Sequence, residues 1–141
     1  MAVNRSRPRR PKMLIAEDDP ASRLLLQTIL SRYGDCVTAA DGSEAVEEFR
    51  LAAGGGSPFD LICMDILMPG MDGHEAIEQV RAIEAARGIL PPNGVKIIVT
   101  TALNDMKHVA RAFAGLADAY LVKPIDRAQL LRQMWSLELI V

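Results

Sequence analysis

Aromatic residues are scarce in this 141-residue sequence: one Trp, two Tyr and three Phe make up 4% of it, while hydrophobic residues together make up 50%. A core must therefore be filled by Leu, Ile, Val, Ala and Met. Cysteine is scarcer still. Cys36 and Cys63 each sit inside an apolar, strand-like run with no CxxC spacing, which removes the usual redox and zinc motifs and leaves small buried core residues as the reading. No apolar run approaches the ~20 residues of a membrane span, and the N-terminus lacks the apolar stretch of a secretion signal. A cytoplasmic protein is expected.

Acid is missing from the first twelve residues, which carry Arg5, Arg7, Arg9, Arg10 and Lys12. Residues 13–141 hold eleven basic side chains against eighteen acidic ones, a net charge of −7. The Pro- and Arg-rich head cannot bury apolar surface, so residues 1–11 read as a basic, flexible arm and residues 12–141 as one domain. Five charges without an aromatic are a weak nucleic-acid signal, and the acidic body argues against DNA binding by the domain itself.

What the chain does have is alternation. Strand-like runs near Lys12–Ala16, Cys36–Ala39, Leu61–Met64, Lys96–Thr100 and Ala119–Val122 are interleaved with helical patterns near Ala21–Tyr33, Ser43–Ala52, His74–Ala86, Met106–Ala114 and Arg127–Leu139. The continuous apolar character of the first, third and fourth runs fits strands covered on both faces. Asp19-Pro20 supplies an N-cap and a first-turn proline, Gly34 a stop after the first helix, and Asp41-Gly42 a turn before the second. Segments 54–58 and 88–94 read as loops at the amino ends of strands three and four. Leu130, Met134 and Leu137, with Leu131 and Trp135 beside them, form one stripe on the last helix, where Trp135 reads as packing. Five βα units with right-handed crossovers predict an α/β fold with a doubly wound, five-stranded parallel sheet and five helices. A strand order of 2-1-3-4-5 would place the ends of strands one and three at a topological switch point.

Four of these runs end on chemically competent residues: Glu17-Asp18, Asp65, Thr101 and Lys123. In a parallel sheet the carboxyl ends of neighbouring strands open onto one crevice. Three carboxylates, a hydroxyl and an ammonium would then meet there, a set able to hold a divalent cation and accept a phosphoryl group.

The strings Leu14-Ile15-Ala16-Glu17-Asp18-Asp19-Pro20, Asp60-Leu61-Ile62-Cys63-Met64-Asp65-Ile66-Leu67-Met68-Pro69-Gly70-Met71-Asp72-Gly73, Thr101-Ala102 and Tyr120-Leu121-Val122-Lys123-Pro124 resemble the response-regulator receiver domain of two-component signalling. The likeness is to the chemotaxis-type single-domain receiver, with its flavodoxin-like fold, and covers about residues 12–141. The D-x-x-M-P-x-M-D-G string is the most specific part. The resemblance implies that Asp65 is the phosphoacceptor, served by a histidine kinase or histidine phosphotransfer protein. It implies Mg²⁺ as cofactor, held by Asp18, Asp65 and the backbone carbonyl of Leu67, with Glu17 in contact through water. Lys123 would face the phosphoryl oxygens, aimed by a cis bond to Pro124, and the Ile66 amide and small Ala102 would complete the pocket. Thr101 is the expected switch hydroxyl and Tyr120 the aromatic that responds, Thr100 facing the opposite side of the sheet. The surface of helix four, strand five and helix five would meet an unknown downstream protein, and would also serve a homodimer.

Other readings of single residues are blander. Asp19 is best explained as a helix cap, and His74 and His108 as solvated helix-surface residues without kinase motifs nearby. Leu67 and Leu103, two residues after Asp65 and Thr101, flank the water path in the family; both are apolar, so a long-lived phosphoryl group is expected. A Mg²⁺-dependent aspartyl phosphatase would need an acid where Leu67 stands, and a cap insertion the chain lacks. A fragment of a larger hybrid kinase or output-domain regulator remains the alternative; the chain ends with its fifth helix and shows no output module.

Overall fold

A computed structural model describes residues 10–68, 71–90 and 93–141, the side chain of Leu103 excepted. Most of the expected arm, the Pro69-Gly70 pair and Pro91-Pro92 thus lie outside the described residues. The described chain starts at Arg10, whose guanidinium donates to Asp35 Oδ1 and to the carbonyls of Ser31 and Gly34.

The elements are β1 (Lys12–Ala16), α1 (Pro20–Leu30), β2 (Asp35–Ala39), α2 (Gly42–Gly54), β3 (Leu61–Asp65), α3 (Gly73–Ala86), β4 (Lys96–Thr101), α4 (Met106–Ala112), β5 (Ala119–Val122) and α5 (Arg127–Ser136). A 3₁₀ turn at Leu103–Asp105 leads into α4. All five strands are parallel, in the order β2-β1-β3-β4-β5. β3 is therefore central, and the chain reverses direction between β1 and β3, where a crevice opens at the strands' carboxyl ends.

Alternation along the strands divides the core. Leu14, Ala16, Ile62, Met64, Ile97 and Val99 pack against α2, α3 and α4. Met13, Ile15, Leu61, Cys63, Ile98 and Leu121 face the other way, against α1 and α5. Two covered faces account for the unbroken apolar runs of β1, β3 and β4. Four helices open on an aspartate: Asp19, Asp41, Asp72 and Asp126 accept from the backbone N–H of Ser22, Glu44, Glu75 and Gln129, filling donors the helix leaves open.

The helix ends differ from the sequence reading. α1 stops at Leu30 rather than Tyr33, and α5 at Ser136 rather than Leu139. In each case the chain turns so that Tyr33, Leu137 and Leu139 pack onto the core from outside the helix. Trp135 is the clearest correction. Leu130 and Met134 are buried but Trp135, one residue farther round α5, is 66% exposed. Cys63 is buried, which pushes its thiol pKa up to about 12 and keeps it inert; Cys36 is half-buried. Among the described residues no helix is long and apolar enough to cross a membrane.

Candidate functional site

β1, β3 and β5 each continue their α1/α5-facing row by one more residue at the carboxyl end. Met13 and Ile15 lead to Glu17, Leu61 and Cys63 to Asp65, and Ala119 and Leu121 to Lys123. Period-2 geometry alone thus sends these three polar side chains to one side of one rim. Lys123 Nζ lies 2.8 Å from Glu17 Oε1 and 3.0 Å from Asp65 Oδ2. Glu17 is 1% and Asp65 5% exposed. The remaining oxygens are also held: Glu17 Oε2 accepts from the Asp19 N–H at 3.1 Å, and Asp65 Oδ1 from the Leu67 N–H at 3.1 Å.

Asp18 is exposed, yet it brings a carboxylate oxygen into the same cluster. One ligand atom each from Glu17, Asp18 and Asp65 lies within 4.8 Å of the others. Three carboxylates face one ammonium there. Burial raises the Glu17 pKa, Lys123 opposes that rise, and Asp65 adds to it. For Lys123 burial pulls the pKa down, but its bonds to Glu17 and Asp65 outweigh burial and hold it above the ordinary value. The donors are all oxygens, which suits a hard dication that keeps part of its water shell.

Thr101 ends β4 on the opposite side. It follows Ile97 and Val99 onto the α2/α3/α4 face, where half-buried Tyr120 also packs. The Thr101 hydroxyl donates to the carbonyl of Ala102 at 3.4 Å rather than to a carboxylate, while its own carbonyl accepts from the Lys123 N–H at 2.8 Å. The structure therefore groups Glu17, Asp18, Asp65 and Lys123, and leaves Thr101 and Tyr120 on the opposite face of the sheet. The Ile66 N–H makes a long 3.4 Å bond to the Thr100 carbonyl, and Leu67 is 66% exposed. The Lys123–Pro124 bond is cis.

Two contributors escaped the sequence reading. A Cβ on Gly73 would stand 2.7 Å from Ile66 Cα and 2.8 Å from the Asp65 carbonyl oxygen. Asp72 caps α3, and Gly73 lets that first turn press on the backbone that carries Asp65. His74, expected to be solvated, instead donates from Nε2 to the Ala112 carbonyl at 3.0 Å and meets Phe113 edge-on, with Nδ1 3.3 Å from Glu78. It ties the start of α3 to the end of α4.

Comparison with known proteins decides what this rim belongs to. A family model described as the response regulator receiver domain matches residues 13–134. The chain belongs to that family. The receiver is similar to the sensor protein GacS of Pseudomonas syringae, 38% identical over 86% of this chain but only 13% of that protein. It is 35% identical to a probable transcriptional regulator, ycf27, of Cyanophora paradoxa, over 89% of this chain and 47% of the relative. The chain thus spans about an eighth of one and half of the other. Among solved structures, the receiver domain of a histidine kinase from Syntrophus aciditrophicus matches with a TM-score of 0.71 at 30% identity, covering 90% of this chain and 89% of that one. A CheX–CheY–BeF₃–Mg²⁺ complex from Borrelia burgdorferi matches with a TM-score of 0.74 at 27% identity, over 90% and 88%.

Proposed function

We propose that the receiver is a phosphoacceptor. Asp65 would take a phosphoryl group from the phosphohistidine of a histidine kinase or histidine phosphotransfer protein, and the change would alter affinity for a downstream protein. The 3.0 Å contact between Lys123 Nζ and Asp65 Oδ2 carries this reading: a buried carboxylate beside a cation, at the carboxyl-end rim of the sheet. An Asp65 oxygen forms its bond to phosphorus as the bond from phosphorus to the donor nitrogen breaks, the imidazole leaving with that electron pair. Lys123 turns to the phosphoryl oxygens.

Asp18, Asp65 and the Leu67 carbonyl are the proposed Mg²⁺ ligands, with Glu17 reaching the ion through water. When bound, the ion offsets carboxylate charge and the negative charge of the phosphoryl oxygens. The need is quantitative: two carboxylates ~4 Å apart at an effective dielectric of 20 repel by about 4 kcal/mol. Phosphorylation adds close to two further negative charges. The Ile66 amide and Ala102 border the pocket. Thr101 then reaches toward a phosphoryl oxygen and Tyr120 moves into the space behind it, which reshapes the α4–β5–α5 surface. Exposed Trp135 on α5 supports that surface as the one a protein, or a second copy, would meet.

Incubation with acetyl phosphate and Mg²⁺ tests the core of the proposal. Wild type should gain the mass of one phosphoryl group and Asp65→Asn none; a wild-type chain of unchanged mass would end it. Capture from lysate with and without beryllofluoride then identifies the state-dependent partner.

A further inference from the structure

Thr100 is 1% exposed, and its Oγ1 is the buried side-chain polar atom without a hydrogen-bond partner among the described residues. An unpaired buried hydroxyl is costly, whereas an apolar group in its place carries no such penalty. The three preceding residues, Ile97-Ile98-Val99, show that β4 accommodates branched apolar side chains. A hydroxyl kept here suggests use in another state of the molecule.

Its location indicates which state. The register sets Thr100 beside Asp65 on β3 and Leu121 on β5. Ile98, two residues before Thr100, shares a core cluster with Cys63, two before Asp65, so both side chains leave the same face of the sheet. On that face α5 contributes buried Leu130 and Met134, neither of which is an acceptor suited to a hydroxyl. Asp65 is the polar neighbour that the register supplies. In the resting site its oxygens are already engaged, Oδ1 by the Leu67 N–H and Oδ2 by Lys123.

We propose that Thr100 is a positioning residue held in reserve beneath Asp65: its hydroxyl donates to the Asp65 carboxyl group once that group is phosphorylated and Lys123 has moved to the phosphoryl oxygens. This rests on the phosphoacceptor reading of Asp65. The role is separate from that of Thr101, which faces the other side of the sheet. With acetyl phosphate, the Asp65 oxygen–phosphorus bond forms as the phosphorus–acetate oxygen bond breaks, acetate leaving with the electron pair. In the later hydrolysis a water oxygen forms its bond to phosphorus as the bond from phosphorus to the Asp65 oxygen breaks, the carboxylate leaving with the electron pair. Thr100 keeps its proton throughout, and its hydrogen bond strengthens as that carboxylate regains charge.

The test compares wild type, Thr100→Val and Thr100→Ser as full chains. Each is treated with acetyl phosphate and Mg²⁺, freed of donor, and followed by intact mass; thermal melting is recorded without donor. Thr100→Val should melt at or above wild type yet hold its phosphoryl group about fivefold longer, the rate equivalent of one ordinary net hydrogen bond to the departing carboxylate. Thr100→Ser should keep the wild-type lifetime. A Thr100→Val lifetime equal to or shorter than wild type overturns the proposal, as does equal lengthening in both variants, which would implicate packing. A Thr100→Val chain that melts lower or fails to fold also overturns it, because the hydroxyl would then have a resting-state partner. A wild-type chain that gains no phosphoryl mass removes the Asp65 reading itself, whereas normal wild-type phosphorylation with an unaltered Thr100→Val removes this inference alone.

Discussion

Lys123 Nζ sits 2.8 Å from Glu17 Oε1, so the ammonium that faces Asp65 is anchored by a second, almost fully buried carboxylate. Glu17 and Lys123 are 106 residues apart in the chain and meet because β1 and β5 end at the same rim. The pair fixes the cation before any phosphoryl group arrives.

Lys123→Met removes that cation and leaves Glu17 and Asp65 facing each other with little solvent. Breaking one side of such a pair costs about 3 kcal/mol, so urea denaturation at neutral pH without Mg²⁺ should show a loss of this order. Glu17→Gln relieves the repulsion, so the Glu17→Gln/Lys123→Met double variant should be more stable than the two separate losses added together. Strict additivity would show that the two side chains do not interact in solution.

The same pair sets a pH dependence at high pH. The Lys123 pKa in the fold lies above its ordinary 10.5, since the bonds to Glu17 and Asp65 outweigh burial. Its stabilising contribution is fully present below 10.5 and is lost as pH rises through the higher folded value. Glu17, whose pKa burial raises, acts in the opposite sense, its penalty fading as pH falls through its folded value. The stability difference between wild type and Lys123→Met should therefore be steady from pH 7 to 9 and shrink above pH 10.5. A difference unchanged across that upper range would contradict the assigned charge state.

Much of this arrangement was legible in the sequence because strands and their endpoints are local properties. Apolar runs marked β1, β3 and β4, and the polar residue after each run lands on the rim whatever the rest of the chain does. The 2-1-3-4-5 order entered as a condition of the site, and the sheet has it. The misses share a different cause. Glu17 reaching Lys123, His74 reaching Ala112 and Trp135 turning outward depend on which helix lies opposite, which spacing along one segment does not encode. Asp72-Gly73 stood in a recognised string, but the close approach of Gly73 to Ile66 required the backbone path. Thr100 and Thr101 are chemically alike, and the small Ala102 after Thr101, with the period-2 alternation of a strand, is what separates them in sequence.

Gly73 offers a test in which two principles predict opposite signs. By helix propensity, Gly73→Ala should stabilise α3 by up to about 1 kcal/mol. By the geometry, the new methyl meets the backbone of Asp65 and Ile66 at under 3 Å, and neither can give way without moving the carboxylate. Overpacking of this kind costs about 1–3 kcal/mol. Gly73→Ala should therefore be net destabilising in urea and should weaken Mg²⁺ binding several-fold by calorimetry. A stabilised variant with intact Mg²⁺ affinity would mean that the loop yields freely.

At the far end of the sheet, Arg81 makes a clasp whose removal should be felt globally. Its Nη1 lies 2.6 Å from Glu84 Oε1 and 2.9 Å from the Val95 carbonyl, while Nε and Nη2 both donate to the Leu116 carbonyl. Buried Glu84 also accepts from the Val95 N–H at 2.6 Å, and Asp118 from the Ile97 N–H at 2.8 Å. One guanidinium thus joins α3 to the start of β4 and to the turn after α4, using a forked geometry that lysine lacks. Arg81→Met keeps much of the stem but strands the Glu84 carboxylate, at a cost of about 3 kcal/mol. Arg81→Lys should recover only part of this, because one ammonium cannot reach Glu84, Val95 and Leu116 together. Chemical denaturation of both variants checks the order, and a fully wild-type Arg81→Lys would show that charge alone, rather than the fork, holds these elements together.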